Sequence, residues 1–292
     1  MSENYSLKYQ EMSLEVAAMG AELQSLKLND TELLWQGSEN FWKGRAPILF
    51  PIVGPLKDNK YSYKGRSYEM PTHGFARTSV FELEDCQDDS LTLLLKSNDT
   101  IMKNYPFHFE FRVKYSLKGT CLTQMYSVTN KSDDEMPFSL GIHTALQCPA
   151  SGLGEFTDYS IKFDHTVLLK RELRKDGGLL SGEQAPLLSD SHLKLDYSLF
   201  KPGAIIILGI KEKHLTLQDK NDRYKAEYHF EDYADLGIWT MDNAPFLCIE
   251  PWNGYNSCVN GDYDILKKPG IMMLAPGKSR QFTNSIKFSL ER

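Results

Sequence analysis

A chain of 292 residues with 33 Lys and Arg against 39 Asp and Glu carries a net charge of −6 and no long basic tract, so neither nucleic acid nor a membrane surface is an expected partner. Hydrophobic residues make up 41% and aromatic residues 12%, an ordinary globular composition whose many Tyr and Phe favour β structure. No apolar run approaches the roughly 20 residues that span a bilayer, and MSENYSLKYQEMSLEV lacks the basic and apolar regions of a secretory leader. The five cysteines fall at 86, 121, 148, 248 and 258, never in CxxC spacing, and read as the reduced thiols of a soluble cytoplasmic protein.

Along the chain, SLEVAAMGAELQSLKL (13–28) reads as two strands bent around Gly20. SENFWKG (38–44) has the length for one helical turn. SLTLLLKS (90–97) is a short strand. In FHFEFRVKYSLKG (107–119) apolar Phe107, Phe109, Phe111, Val113, Tyr115 and Leu117 alternate with polar residues, the period of a half-buried antiparallel strand. Lys118-Gly119-Thr120 turns the chain, and CLTQMYSVTN (121–130) returns as the second arm of a hairpin. AIIILGI (204–210), HLTLQD (214–219), YKAEYHF (224–230) and SIKFSLE (285–291) add further strands. No long segment has helical periodicity, and no linker, repeat or low-complexity tract interrupts the series. The expectation is all-β: one large antiparallel β-sandwich domain over residues 1–292.

Nucleophile elbow, HExxH, Walker and dinucleotide-binding signatures are absent. Ionisable residues instead sit in short segments punctuated by Gly and Pro. GRAPILFPIVG (44–54) starts with Arg45, which either pairs with a carboxylate at a rim or meets a ligand. MPTHGFART (70–78) holds His73 and Arg77 about a glycine that permits a tight turn. In PFSLGIHTALQCP (137–149), strand alternation sets Gly141 and His143 opposite Leu140 and Ile142, so His143 faces solvent or faces a cleft. FLCIEPWNGY (246–255) ends an apolar strand on Glu250, where partial desolvation raises a carboxyl pKa and makes a better base. Trp252 and Tyr255 follow with flat faces suited to a sugar ring or to core packing. His108, His165, His192, His214 and His229 have no comparable setting.

Together GRAPILFPIVGPLKDNKY, THGFAR, NKSDDEMPFSLGIHTAL and CIEPWNG resemble, in the same order, the motifs of the aldose 1-epimerase or galactose mutarotase-like family, and its LacX-like branch in particular. The likeness runs from about residue 5 to the C-terminus. It implies an antiparallel supersandwich with the sugar site in a cleft across a concave sheet. It also implies His143 as general acid, Glu250 as general base, and Arg45 and His73 as sugar-positioning residues, with Trp252 against the sugar. Thr144 stands where many relatives have proline. The aspartate with which many relatives bind sugar hydroxyls has only Asp196 as a candidate.

Such an enzyme needs no cofactor and no metal, and its partner is a small sugar, as a monomer or homodimer. Two rival readings remain at this stage: a non-catalytic carbohydrate-binding sandwich, and a metal site built from His73, His143 and Glu250. The substrate is expected to be a free hexose. A phosphorylated hexose is the alternative if Arg45, Arg77, Lys57 and Lys60 converge as an anion-binding cluster.

Overall fold

A computed structural model describes residues 3–291. Every pairing between its strands is antiparallel, and two sheets dominate. The larger has nine strands in the order Leu180–Lys194, Tyr159–Arg174, His214–Asp219, Tyr224–His229, Ser279–Leu290, Cys121–Asn130, Phe109–Lys118, Ser90–Lys96 and Glu82–Cys86. The second runs Ile205–Ile207, Asp235–Trp239, Phe246–Asn253, Leu140–Ile142 and Ile48–Leu49, with Ala145–Gln147 also paired to the central strand. A four-stranded sheet from the first 32 residues packs beside them. The expected β-sandwich architecture is present.

The hairpin Phe109–Lys118/Cys121–Asn130 forms with the alternation the sequence predicts, one residue in two buried along both arms. Its inward residues meet the second sheet across an aromatic layer, in which the Phe50 ring stacks on Phe111 at 4.5 Å and meets Phe109 edge-on at 5.3 Å. Burial of this kind is the main favourable term in folding, and such ring pairs add specificity of geometry to it. The N-terminal strands Met12–Ala17 and Leu23–Leu28 also form, separated by the bend at Gly20.

Two elements differ from expectation. SENFWKG makes no helical turn, because the Trp42 carbonyl accepts hydrogen bonds from both the Ser38 backbone N–H at 3.0 Å and the Trp35 indole N–H at 2.8 Å. That closes a loop and carries the Trp42 ring inward. The longest strands, Tyr159–Arg174 and Leu180–Lys194, have no clear period in the sequence, because three register shifts break their alternation and much of their surface is exposed. Their tip, residues 175–179, bends back over the second sheet, held by the Leu180 N–H to the Ser257 carbonyl at 2.9 Å and the Asn256 amide to the Gly178 carbonyl at 2.7 Å.

Phe111 is fully buried in the aromatic layer. Phe111→Ala is therefore expected to lower stability by about 3–5 kcal/mol in chemical denaturation, the usual cost of losing a buried ring; a loss below 1 kcal/mol would mean the layer collapses freely around the gap.

Candidate active site

The strand Phe246–Asn253 lies in the middle of the second sheet, and Glu250 is near its centre. On one side it pairs with two short strands in succession: Leu140 and Gly141 face Asn253 and Trp252, then Ala145, Leu146 and Gln147 face Cys248, Leu247 and Phe246. The register is identical on both sides of the interruption, so it sets His143 directly across from Glu250, with both side chains on one face. On the other side Glu250 pairs with Gly237, which offers no side chain to cover it. The result is an imidazole Nε2 at 3.4 Å from a carboxylate oxygen, on the floor of a cleft of about 350 Å³.

Burial governs the electrostatics of this floor. Glu250 is 1% exposed, and burial pushes its carboxyl well above the usual carboxylate range. Burial, with a smaller contribution from the Arg77 charge, pushes His143 down to about 4. Burial thus favours the proton on Glu250 over the proton on His143. Among the described residues, neither the Nδ1 of His143 nor the Oε2 of Glu250 has a hydrogen-bond partner, although both atoms are buried.

The walls come from several segments. Trp42 lies across the His143 ring at 4.8 Å and Trp239 meets it edge-on at 5.6 Å. Trp252 is buried along the floor, and a Cβ on Gly237 or Gly141 would sit 2.5 or 2.7 Å from its indole, so only glycine at these two positions leaves the ring its place. His73 projects from the turn at 70–78 with φ +69°, a left-handed conformation uncommon outside glycine. Its Nδ1 accepts the Gly54 backbone N–H at 3.1 Å, which leaves the ring proton on Nε2. Burial, His143, Arg77 and Lys268 all hold His73 well below its ordinary pKa, so it is a neutral donor. Lys268 is itself buried behind this turn and donates to the Tyr255 carbonyl.

Of the residues singled out in the sequence, His73, Arg77, His143, Glu250 and Trp252 line this one cleft. Arg45 is not among the lining residues. Its guanidinium donates to Gln24 Oε1 at 2.6 Å, and its carbonyl accepts the Ala145 N–H at 2.9 Å, which ties the His143 segment down from behind. Asp196 is exposed and caps a 3-10 turn through the Ser198 N–H at 2.8 Å, outside the cleft. Lys57 and Lys60 also lie outside it, Lys57 above the Tyr263 ring at 5.3 Å. Instead Arg174, on the long hairpin, lines the cleft together with Arg77, its guanidinium also donating to the Pro202 carbonyl at 3.5 Å. Trp42, Trp239, Arg174 and Asn256 were not anticipated. Trp239 shares the strand face of Gly237, two residues away, and alternation alone points to it; Arg174 had no such signal. Among the described residues, the donor atoms that gather within 4.8 Å of one another are those of His143, Cys248 and Glu250, rather than the set His73, His143 and Glu250.

The profile of the family described as aldose 1-epimerase matches residues 3–287. The chromosomal protein LacX of Lactococcus lactis subsp. lactis is 31% identical over 281 residues, which is 92% of this chain and 94% of LacX. The X-ray structure of a galactose mutarotase related enzyme from Lactobacillus acidophilus superposes with a TM-score of 0.93 at 34% identity, covering 98% of this chain and 97% of that one. A galactose mutarotase-like protein from Lactobacillus casei ATCC 334 gives a TM-score of 0.91 at 28% identity, covering 98% of this chain and all of that one.

The imidazole of His143 is expected to titrate in an NMR experiment near pH 4. A midpoint at or above the ordinary histidine value would mean that Glu250 is ionised and holds the ring as a cation, reversing the order of the two groups.

Proposed function

The chain belongs to the aldose 1-epimerase family, and we propose that it interconverts the α and β anomers of a hexose by acid–base opening and reclosing of the ring. The observation that supports this most is the His143–Glu250 pair at 3.4 Å in a cleft of sugar size with aromatic walls. Ring opening needs a base for the proton of the C1 hydroxyl and an acid for the ring oxygen. Rotation about C1–C2 then presents the other carbonyl face, and reclosure returns both protons. All of this uses protein groups alone, with no cofactor. The five cysteines carry no disulfide, in keeping with an intracellular enzyme.

The pair shares one dissociable proton. With the proton moved from Glu250 to His143, the carboxylate takes the C1 hydroxyl proton and the imidazolium protonates the ring oxygen. Opening therefore returns the pair to the uncharged form that burial favours. His73, with its proton fixed on Nε2, donates to a sugar oxygen, and Trp252 and Trp42 cover apolar ring faces. Positioned proton transfer of this kind is worth about 10²–10⁴-fold.

A second reading, an anionic hexose such as a hexose 6-phosphate, is favoured by one observation. Arg77 and Arg174 line the same cleft, and neither has a carboxylate within ion-pair distance among the described residues. Two guanidinium groups suit a phosphate better than a hydroxyl. The free hexose remains the primary reading, because the lysines do not join them.

His143→Asn and Glu250→Gln are each expected to slow polarimetric equilibration of α-galactose or α-glucose by about 10²–10⁴-fold while leaving the fold intact. The double variant should be little worse than the worse single one, since the two groups act as a unit. Full activity in Glu250→Gln would remove the mechanism; sugar binding by a wild type that does not speed equilibration would favour a binding protein.

Substrate class is decided by kcat/KM for α-galactose, α-glucose and glucose 6-phosphate in the wild type, Arg77→Ala and Arg174→Ala. Removing either arginine should leave the free sugars within a fewfold. A preference for the phosphosugar of about tenfold or more, lost with the arginines, would make the anionic reading correct, since one charge-assisted hydrogen bond is worth about that factor or more.

A further inference from the structure

We propose that the floor of the cleft is also a binding site for a soft divalent cation such as Zn²⁺, held by His143, Cys248 and Glu250, and that occupancy switches the site off. The starting point is a donor that the acid–base reading does not use. Along Phe246–Asn253, Leu247 and Ile249 turn toward the main core, whereas Cys248 takes the opposite face with Glu250. Cys248 pairs with Ala145 on one side and Trp239 on the other, which brings its thiol beside His143. A ring nitrogen of His143, the Sγ of Cys248 and a carboxylate oxygen of Glu250 all lie within 4.8 Å of one another.

A tetrahedral zinc ion takes nitrogen and oxygen at about 2.0–2.2 Å and sulfur at about 2.3 Å, so its ligand atoms sit about 3.3–3.8 Å apart. The closest pair here, at 3.4 Å, already meets that spacing. Closing the sulfur onto the ion takes about 1 Å of side-chain movement. The same carboxylate is 1% exposed, and its Oε2, which faces His143 Nε2 at 3.4 Å, has no hydrogen-bond partner among the described residues, so it gains from a cation. Packing alone accounts for a small residue at position 248, since it touches a pocket formed with Trp35, Ala145 and Phe246. It does not account for an unsatisfied carboxylate oxygen beside the thiol.

The donor set selects the metal. Thiolate with imidazole favours Zn²⁺ or Cd²⁺ over Mg²⁺, Ca²⁺ or Mn²⁺, which prefer oxygen. Three protein ligands leave a fourth position toward the cleft for water or a sugar hydroxyl. Binding sends the thiol proton and the proton of the Glu250–His143 pair to solvent. With both groups committed to the metal, no proton is left to exchange, and ring opening stops. Metal binding does not depend on the proposed epimerase activity; only the inhibition does.

The test titrates Cd²⁺ into the full-length protein and follows the sulfur-to-metal charge-transfer absorption, with Zn²⁺ as competitor. The same samples are assayed for equilibration of α-galactose, with EDTA added last. The wild type should take up one Cd²⁺ with a band that Zn²⁺ abolishes, and Zn²⁺ should inhibit in a way that EDTA reverses. Cys248→Ala and Cys248→Ser should lack that band, keep their rate without metal within about twofold, and need roughly tenfold more Zn²⁺ for the same inhibition, as expected when the soft ligand is lost. An unchanged band in both Cys248 variants would place the metal on another thiol and overturn the site. A wild-type band without inhibition by Zn²⁺ would overturn the switch while leaving the site. A protein with no epimerase activity still reports on the site through the band, so the two proposals fail separately.

Discussion

Two ionisable side chains facing each other across neighbouring strands, one fully buried and the other 12% exposed, set the terms for everything else in the cleft. Desolvation opposes charge on each, so the carboxyl of Glu250 is pushed up and the imidazole of His143 down. A lone buried carboxylate would be costly, and a lone buried imidazolium equally so. A facing pair escapes that cost when the carboxyl keeps its proton and the imidazole stays neutral, with the two atoms 3.4 Å apart. The uncharged pair is thus tolerable in the resting fold. Its position depends on backbone register rather than on a flexible loop, and a slip of one residue would turn His143 to the other face.

The remaining features follow from keeping water off that floor. Gly237 and Gly141 leave room for the Trp252 indole, and the loop closed by the Trp35–Trp42 hydrogen bond lays a second indole over His143. The long hairpin of the nine-stranded sheet crosses to the smaller sheet and supplies the opposite wall with Gly177, Gly178 and Arg174. Each wall is anchored by backbone hydrogen bonds, so the cleft is formed before any ligand arrives. Preorganised polar groups in a dry site act more strongly than the same groups in water.

The sequence was most legible where one physical signal acted alone. The alternation in 107–130 was unmistakable because both arms lie over the core with one face each, and the structure has that hairpin residue for residue. Arg77, His73, His143, Glu250 and Trp252 were legible as ionisable or aromatic residues in short segments punctuated by Gly and Pro, and all five line the cleft. Arg45 carried the same kind of signal, yet a partner 21 residues earlier in the chain, Gln24, draws its side chain elsewhere. Arg174 and the 159–194 hairpin were illegible for the opposite reason. Bulges broke the alternation, and exposure on both faces removed the hydrophobic contrast that marks a strand. Trp42 was misjudged because its place is decided by a hydrogen bond from Trp35, seven residues away, and not by local helix propensity.

One of the two cleft arginines, Arg77, contributes to the lowered pKa of His143 and of His73, after desolvation. A neutral sugar leaves that bias in place, and its hydroxyls must themselves stabilise the charge-separated arrangement. On the anionic reading, a phosphate held by Arg77 and Arg174 offsets the guanidinium charge and relaxes the penalty on a protonated His143. The same contact that anchors such a substrate would then move the pair toward the form that opens the ring, which is binding energy expressed in the reaction rather than in affinity alone. Desolvation remains the larger cause of both shifts. Arg77 therefore acts on the floor as a secondary charge from the wall, and the facing register of His143 and Glu250 sets the two groups together.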